Sequence, residues 1–387
     1  MKFEKIIFEI TRVFAHIVGY LMPIQNNKIV ISSYKGKGYG CNPKYIVNEL
    51  IKLNPNIEIV CLLKGEANKV TLPKEISYCF EKSFWGIYHL MTAKVWIDNC
   101  RKSFHYKKKS QFYLQTWHGF ALKRIEKDAA EKLDSNYIKS AIRDSKNIDL
   151  IISCSDFMSN IYRNSFWYNG DIIQLGAPRN DVLLNTNTDI SKKVRKTLNI
   201  DENKGILLYA PTFRQNQSVD SYSLDYLKIK ACCEKRFNKQ FIVLLRLHPN
   251  ISDAKLDVSF DNYNILNVSY YPDIQELLCA TDIVITDYSS LMFDFALTQK
   301  PCFLFATDLN NYIDERNFYF EYTKLPFPTS ETNDVLINNI LNFNHEKYID
   351  DLICFWDSVG MITEGNASHK TAKLINKIMC NKTSKLI

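Results

Sequence analysis

The chain has 387 residues, 46% of them hydrophobic and 24% charged, too long for one ordinary core and long enough for two domains. Its net charge of +7 is spread over 49 basic and 42 acidic residues, which excludes a nucleic-acid-binding arm and leaves a mild attraction to membrane phosphates or an anionic substrate. Eleven cysteines with no CxxC pair argue against a disulfide framework and for a reducing cytoplasm, and neither a secretory leader nor a run of about eighteen apolar residues is evident.

In chain order, Ile6, Ile10, Val13, Phe14, Ile17, Val18 and Leu21 repeat at helical spacing, with Lys5, Glu9, Arg12 and His16 on the other side, until Pro23 ends the run. Residues 1–27 therefore read as an amphipathic helix expected to dock on its own domain, with a bilayer surface as the alternative. Short apolar runs at 28–33, 58–63, 95–98, 112–115, 150–153 and 171–174 read as strands in βα alternation, which implies a parallel sheet. The basic run 107–109 reads as a solvated turn. After a polar, strand-poor stretch from 185 to 204, the alternation restarts at 206–210, 241–247, 283–286 and 302–305. Pro272 and Asp273 before IQELLCA, and Ser289 and Ser290 before LMFDFAL, mark helix starts. The expected organisation is an α/β domain over 28–185, a second over 205–365 and a C-terminal helix over 366–387.

Two histidines, His118 in QTWHG and His248 in LLRLHPN, each follow an apolar strand-like run. A histidine at a strand's C-terminal end faces the crevice where open α/β sheets hold ligands, and an imidazole suits proton transfer near neutral pH. His16, His89, His105, His345 and His369 have no convergent partners in the sequence. Phosphate-binding devices are of three kinds. GKGYG at 36–40 follows the first strand but lacks both the GxGxxG and the P-loop pattern. ITDYSS at 285–290 ends a strand in a polar turn and opens a helix, whose free amides and two hydroxyls suit a diphosphate. Arg179, Arg214, Arg246 and Arg316 offer guanidinium forks for phosphate oxygens.

The set GKGYGCNPKYI, QTWHGFALKR, DLIISCSDFMSNIY, LGAPRND, LLYAPTFR, LRLHP, DIQELLCATDIVITDYSSLMFDFALTQKP and EGNAS resembles, in order and over about 29–368, the CDP-glycerol glycerophosphotransferase family. The resemblance implies a GT-B-like α/β fold, in which two Rossmann-like domains with parallel sheets face a central cleft. The C-terminal domain would hold the nucleotide and the N-terminal one the acceptor. It implies transfer of glycerol phosphate or a related polyol phosphate from CDP-glycerol or CDP-ribitol to a hydroxyl of a lipid-linked acceptor, with release of CMP. The setting would be teichoic acid or capsule synthesis, on the cytoplasmic face of a bacterial membrane. His118 and His248 take the positions of the family's two motif histidines, with His118 the candidate general base. Gly119, Lys123, Arg179, Thr212, Arg214, Arg246, Asp287, Ser289, Ser290 and Arg316 are the expected substrate contacts.

Where the family usually writes WHGTPLK this chain has WHGFALK, so Phe120 and Ala121 are expected to alter acceptor choice. The common YSDNP is Tyr39, Gly40, Cys41, Asn42 and Pro43 here, and the usual RG is Arg316 and Asn317. No tightly bound cofactor, structural metal or nucleic acid is expected; a magnesium ion held loosely on the donor diphosphate is compatible with the sequence, which specifies no oligomeric state. Two other readings stay open: a GT-B glycosyltransferase using a nucleotide sugar, separated only by the WHG and RxHP context, and a non-catalytic protein binding anionic polymer or membrane.

Overall fold

Strands form where the sequence runs apolar without interruption, because helices cover both faces of a parallel sheet and leave no solvent side for polar residues. The computed structural model describes residues 2–65, 72–102, 106–185, 187–212, 224–247, 265–309, 312 and 317–380. In the first half, β1 (Gln25–Ser32), β2 (Glu58–Leu63), β3 (Ile76–Phe80), β4 (Ala93–Asp98), β5 (Phe112–Gln115), β6 (Leu150–Ser153) and β7 (Asp171–Gln174) make a seven-stranded sheet in the order β3-β2-β1-β4-β5-β6-β7. All its neighbours are parallel, with Ile29 opposite both Ile59 and Val95. In the second half, β8 (Gly205–Ala210), β9 (Phe241–Leu245), β10 (Ile265–Asn267), β11 (Ile283–Thr286), β12 (Cys302–Phe305) and β13 (Thr329–Ser330) form a six-stranded parallel sheet in the order β10-β9-β8-β11-β12-β13. Each order reverses once, between β1 and β4 and between β8 and β11, and ligands of such sheets bind beyond the strands' C-terminal ends at that reversal.

The chain divides into two units. Unit 1 takes in the chain up to His118, Ile125–Asp181 and everything from Met361 onward; unit 2 comprises Gly119–Arg124 and Val182–Gly360. Two segments thus differ from a simple division into halves. The C-terminal helix Ala367–Cys380 closes the core of unit 1, where Ala372, Ile375, Ile378 and Met379 pack with Ile29, Ile31, Ile46 and Leu50. Gly119–Arg124 is tied into unit 2 by Tyr319 N donating to Leu122 O (2.9 Å) and Arg124 N donating to Asn317 O (3.0 Å). The polar stretch expected to be poor in strands, 185–204, has none among its described residues and contains helix Thr188–Thr197, capped by Asn187 through Ile190 N at 3.2 Å. The strand expected over 241–247 stops at Leu245, because Leu247 N turns to Ser269 Oγ at 2.9 Å.

The N-terminal helix Lys2–Leu21 lies on helix Phe84–Thr92 through small residues. Ala15 packs with Ile87 and Met91, and Gly19 approaches so closely that a Cβ there would stand 2.5 Å from Met91 Cβ. Lys108 Nζ donates to Gly19 O and Met22 O, both at 2.6 Å, capping carbonyls that the helix itself leaves unpaired. Lys107 pairs with Asp149 at 3.0 Å, so two of the three lysines at 107–109 fasten the fold where a merely solvated turn is expected. Ile10, Val13, Phe14, Ile17, Tyr20 and Leu21 remain more than half exposed. Among the described residues no helix is long and apolar enough to cross a membrane.

Candidate active site

In unit 1 the residues after β5 leave the sheet edge in a tight turn. Thr116 N donates to Asp98 O at 2.9 Å, and Gln115 Oε1 accepts from Trp117 N at 2.9 Å while its Nε2 donates to Cys100 O and to Tyr113 Oη, both at 3.0 Å. Trp117 has φ +50°, a left-handed conformation that costs a bulky residue about 1 kcal/mol or more unless neighbours hold it. Asn42 Nδ2 holds it, donating to Thr116 O and Trp117 O at 3.1 Å each, and the indole stands edge-on to Phe166 at 4.7 Å.

This turn fixes His118. Its ring lies 4.4 Å from that of Trp117 and meets Tyr34 edge-on at 5.8 Å, with Cys100 Sγ 3.8 Å from Nδ1. Nδ1 is hydrogen-bonded to Asn99 O. A carbonyl only accepts, so Nδ1 carries the proton of the neutral ring and Nε2 presents the lone pair. Burial pulls the imidazole down to about 4, the Asn99 carbonyl opposes that pull, and the charges of Arg179 and Lys35 add to it. The ring is therefore neutral at physiological pH.

Below the turn lies an ionic network that the sequence reading misses. Asp98 pairs with Lys102 at 2.7 Å and accepts from Cys100 N at 2.9 Å. Arg101 reaches Glu126 at 3.1 Å, Ser145 Oγ at 2.8 Å and Phe166 O at 3.1 Å, with Asp144 at 3.5 Å. These residues are buried and set the 98–102 loop whose Asn99 carbonyl orients His118. Their signal in the sequence is the charged run DNCRK placed directly after an apolar strand.

Arg179 is buried in unit 1, where its Nη1 meets Cys41 Sγ at 3.5 Å and its backbone N donates to Asn42 Oδ1 at 3.0 Å. GKGYG is a closed turn instead of an open phosphate loop. Gly36 N and Lys37 N both donate to Ser33 O, and Gly36, at φ +76°, lies so near β2 that a Cβ would stand 2.8 Å from Lys64 N.

In unit 2 the reversal point between β8 and β11 is organised by Asp287. Its buried carboxylate accepts from Thr212 N (2.9 Å), Thr212 Oγ1 (2.5 Å) and Tyr288 N (2.6 Å), and Tyr322 Oη donates to its backbone carbonyl at 2.9 Å. These bonds tie the turn after β11 to the residues that follow β8. The next helix, Leu291–Ala296, has Ser290 at its cap position without a side-chain cap bond, and Ser289 Oγ accepts from Leu291 N at 3.3 Å. Both serines are partly exposed. Arg246 Nη1 donates to Tyr271 O at 2.8 Å and Val268 O at 3.3 Å, which commits part of its fork to the backbone. Lys123 Nζ stands 5.0 Å above the ring of Tyr312, which stacks on Tyr288 at 3.8 Å.

Phe120 and Ala121 are buried, Phe120 against Phe293 at 4.7 Å with Phe320 and Phe355 beyond. Both side chains thus belong to the packing of unit 2. Gly119 sits before it at φ +141°. Unit 1 therefore gathers His118 and Arg179, and unit 2 gathers Thr212, Asp287, Ser289 and Ser290. His248, Arg214 and Arg316 lie outside the described residues. Among the described residues no group of three or more His, Cys, Asp or Glu is placed to hold a metal ion.

A family model described as CDP-Glycerol:Poly(glycerophosphate) glycerophosphotransferase matches residues 14–377. A teichoic acid poly(glycerol phosphate) polymerase of Staphylococcus epidermidis is 32% identical over 370 residues, which are 92% of this chain and 51% of that protein. A teichoic acid glycerol-phosphate transferase of Staphylococcus aureus is 30% identical over 366 residues, 91% of this chain and 93% of that one. The chain thus spans about half the length of the first of these relatives and nearly all of the second. A solved structure of the wall teichoic acid polymerase TagF, a histidine-to-asparagine variant soaked with CDPG, superimposes with a TM-score of 0.84 at 30% identity, covering 95% of this chain and 93% of that one. With two parallel sheets in doubly wound order, the fold is GT-B-like.

Proposed function

This chain belongs to the CDP-glycerol:poly(glycerophosphate) glycerophosphotransferase family, and from that premise we propose that it transfers glycerol phosphate, or a related polyol phosphate, from a CDP-linked donor to a hydroxyl of a membrane-lipid-linked acceptor, releasing CMP, in the synthesis of teichoic acid or a capsular polymer. CDP-linked polyols fit the family as donors. The observation that carries the reading is the neutral imidazole of His118, with Nδ1 fixed on Asn99 O and Nε2 left to take a proton.

The acceptor oxygen bonds to the phosphorus that carries the polyol, the bond from that phosphorus to the bridging oxygen breaks, and CMP departs with the electron pair. The hydroxyl's proton passes to His118 Nε2 as the bond forms. Negative phosphoryl oxygens beside the attacking hydroxyl raise the imidazole's proton affinity at the moment it is needed. Arg179, Lys123, Ser289 and Ser290 are assigned to phosphate oxygens, Gly119 to close approach of the backbone, and Thr212 and Asp287 to the turn that presents the serines. By family resemblance, His248 and Arg246 stand on the donor-phosphate side with Arg214 and Arg316.

The decisive experiment incubates the protein with CDP-glycerol, CDP-ribitol or a UDP-sugar and a lipid-like acceptor, and measures the nucleotide released. CMP from a CDP-polyol is expected. UDP from a UDP-sugar, or no nucleotide from any donor, overturns the reading. A second measurement follows from His118. Protonation disables a base, so kcat/KM is expected to hold level from about pH 8 to about pH 5 and to fall only as pH drops through His118's value near 4. An acid limb centred on histidine's ordinary value, about 6.5, would contradict the assignment.

The exposed face of the N-terminal helix, Ile10, Val13, Phe14, Ile17 and Leu21, supports a position on the membrane's cytoplasmic surface, where a lipid-linked acceptor resides. Apolar side chains entering an interface each contribute up to about 1.5 kcal/mol or more. The double substitution Phe14→Glu and Ile17→Glu is therefore expected to lower co-sedimentation with phosphatidylglycerol vesicles at least about tenfold, with CMP release to a water-soluble acceptor kept. Undiminished vesicle binding would remove this helix from the membrane-facing role.

A further inference from the structure

We propose that Asn42 is a positioning residue for His118, one side chain that locks two sequence-remote turns and its own helix start into the geometry the base requires. The inference rests on the transferase reading above. Asn42 is the second residue of helix Cys41–Leu53 and is buried. Its Nδ2 donates to Thr116 O and Trp117 O at 3.1 Å each, and its Oδ1 accepts from Arg179 N at 3.0 Å. The amide therefore joins the turn carrying His118 to the turn carrying Arg179, with its own helix start as the third party.

The Arg179 turn is anchored from behind by the C-terminal helix. Asp181 accepts from Ala367 N at 3.0 Å and from Ser368 N at 2.7 Å, and Ser368 Oγ donates to Pro178 O at 2.8 Å. The positional chain runs from Ser368 through Pro178 and Arg179 to Asn42, and from Asn42 to the residue before His118. Backbone strain lies on both sides of the amide, since Cys41 has φ +55° and Trp117 φ +50°. Such conformations relax unless tied. Relaxation at Trp117 would carry the imidazole off Asn99 O, because only one peptide separates the two residues. A displacement of about 1 Å in a catalytic group can lower turnover about a hundredfold.

The test compares wild type with Asn42→Ala and with the milder Asn42→Ser, neither of which adds charge. Three quantities are read: kcat and KM for CDP-glycerol in CMP release, the titration of His118 followed by NMR of its ring nitrogens, and the melting temperature. Lower kcat, by about ten- to a hundredfold, is expected with KM for the donor within about threefold. His118 is expected to titrate above its wild-type value near 4, toward the ordinary histidine value, as water reaches the loosened ring. Arg179, Lys35, Cys100 and Tyr34, the charged and titratable groups facing the ring, are unaltered in both variants.

A His118 titration that stays where it is in wild type overturns the positioning role, whatever happens to kcat, because a merely structural asparagine lowers the melting temperature without changing that ring's surroundings. If the alanine variant does not fold, the serine variant decides by the same criterion. A wild-type protein inactive on every CDP-linked donor would sink the transferase reading, while the titration would still judge the clamp.

Discussion

Replacing His118 by alanine is expected to lower CMP release from CDP-glycerol at least about a hundredfold, while the donor's dissociation constant changes less than about threefold. The asymmetry follows from where the residue sits. His118 lies in unit 1 at the end of the turn after β5, with its ring held by Asn99 O, Trp117 and Tyr34. The serines assigned to the diphosphate lie after β11 in unit 2. Removing the imidazole deletes a proton acceptor and leaves that turn's bonds in place. Nucleotide binding is measured by calorimetry and turnover by CMP release in the same preparation. Turnover within about fivefold of wild type would rule His118 out as the base, whereas a large loss of donor affinity with turnover at saturation preserved would move it to the donor's binding set.

Asp287→Ala is expected to lower stability by about 3 kcal/mol or more and the melting temperature by about 10 °C, with donor affinity falling at least about tenfold. The carboxylate takes three donors, Thr212 N, Thr212 Oγ1 and Tyr288 N, at 2.5–2.9 Å in a buried position. Deleting it leaves donors in the interior with no acceptor, a penalty of about 1–3 kcal/mol for each group left unsatisfied. Asp287→Asn keeps one carbonyl oxygen and turns an amide toward Thr212, so it should fall between wild type and alanine. Calorimetric melts read the first effect and CDP-glycerol titration the second. A melting temperature within about 2 °C of wild type in the alanine variant would show that Thr212 and Asp287 do not brace the turn.

Both predictions concern residues that stand out in the sequence, but the bonds that hold them in place are unequally visible there. His118 is legible because an apolar run followed by a histidine places that histidine at a sheet edge whatever the rest of the chain does. Asp287 invites assignment to a ligand, but its partner Thr212 is 75 residues away, and no local pattern announces such a pair. Asn42 is harder still: its bonds reach Trp117 across 75 residues and Arg179 across 137. Phe120, beside His118 in sequence, turns into the aromatic core around Phe293, which adjacency in the chain conceals.

The same division holds for the fold. The central strands of both sheets are buried on both faces and write themselves as unbroken apolar runs, as in β4 and β8. Of the four edge strands, β7 is still legible as an apolar run, whereas β3, β10 and β13 are not. In β3, Tyr78 and Phe80 are exposed, and β13 has only two residues. An edge strand of this kind keeps a solvent side and little length, so its periodicity is too weak to separate it from a loop.

The discontinuity of unit 1 bears on how this chain acquires its structure during synthesis. Ala372, Ile375, Ile378 and Met379 complete the core around Ile29 and Leu50, yet a ribosome delivers them some 320 residues after Leu50. Domains ordinarily fold in the order in which they emerge. Here the later unit, continuous apart from Gly119–Arg124, has all of its strands out of the exit tunnel before the earlier one receives its last helix. Until then the apolar surface that Ala372, Ile375, Ile378 and Met379 cover stays open beside Ile46 and Leu50, the kind of transient exposure that makes a partly made domain prone to aggregate.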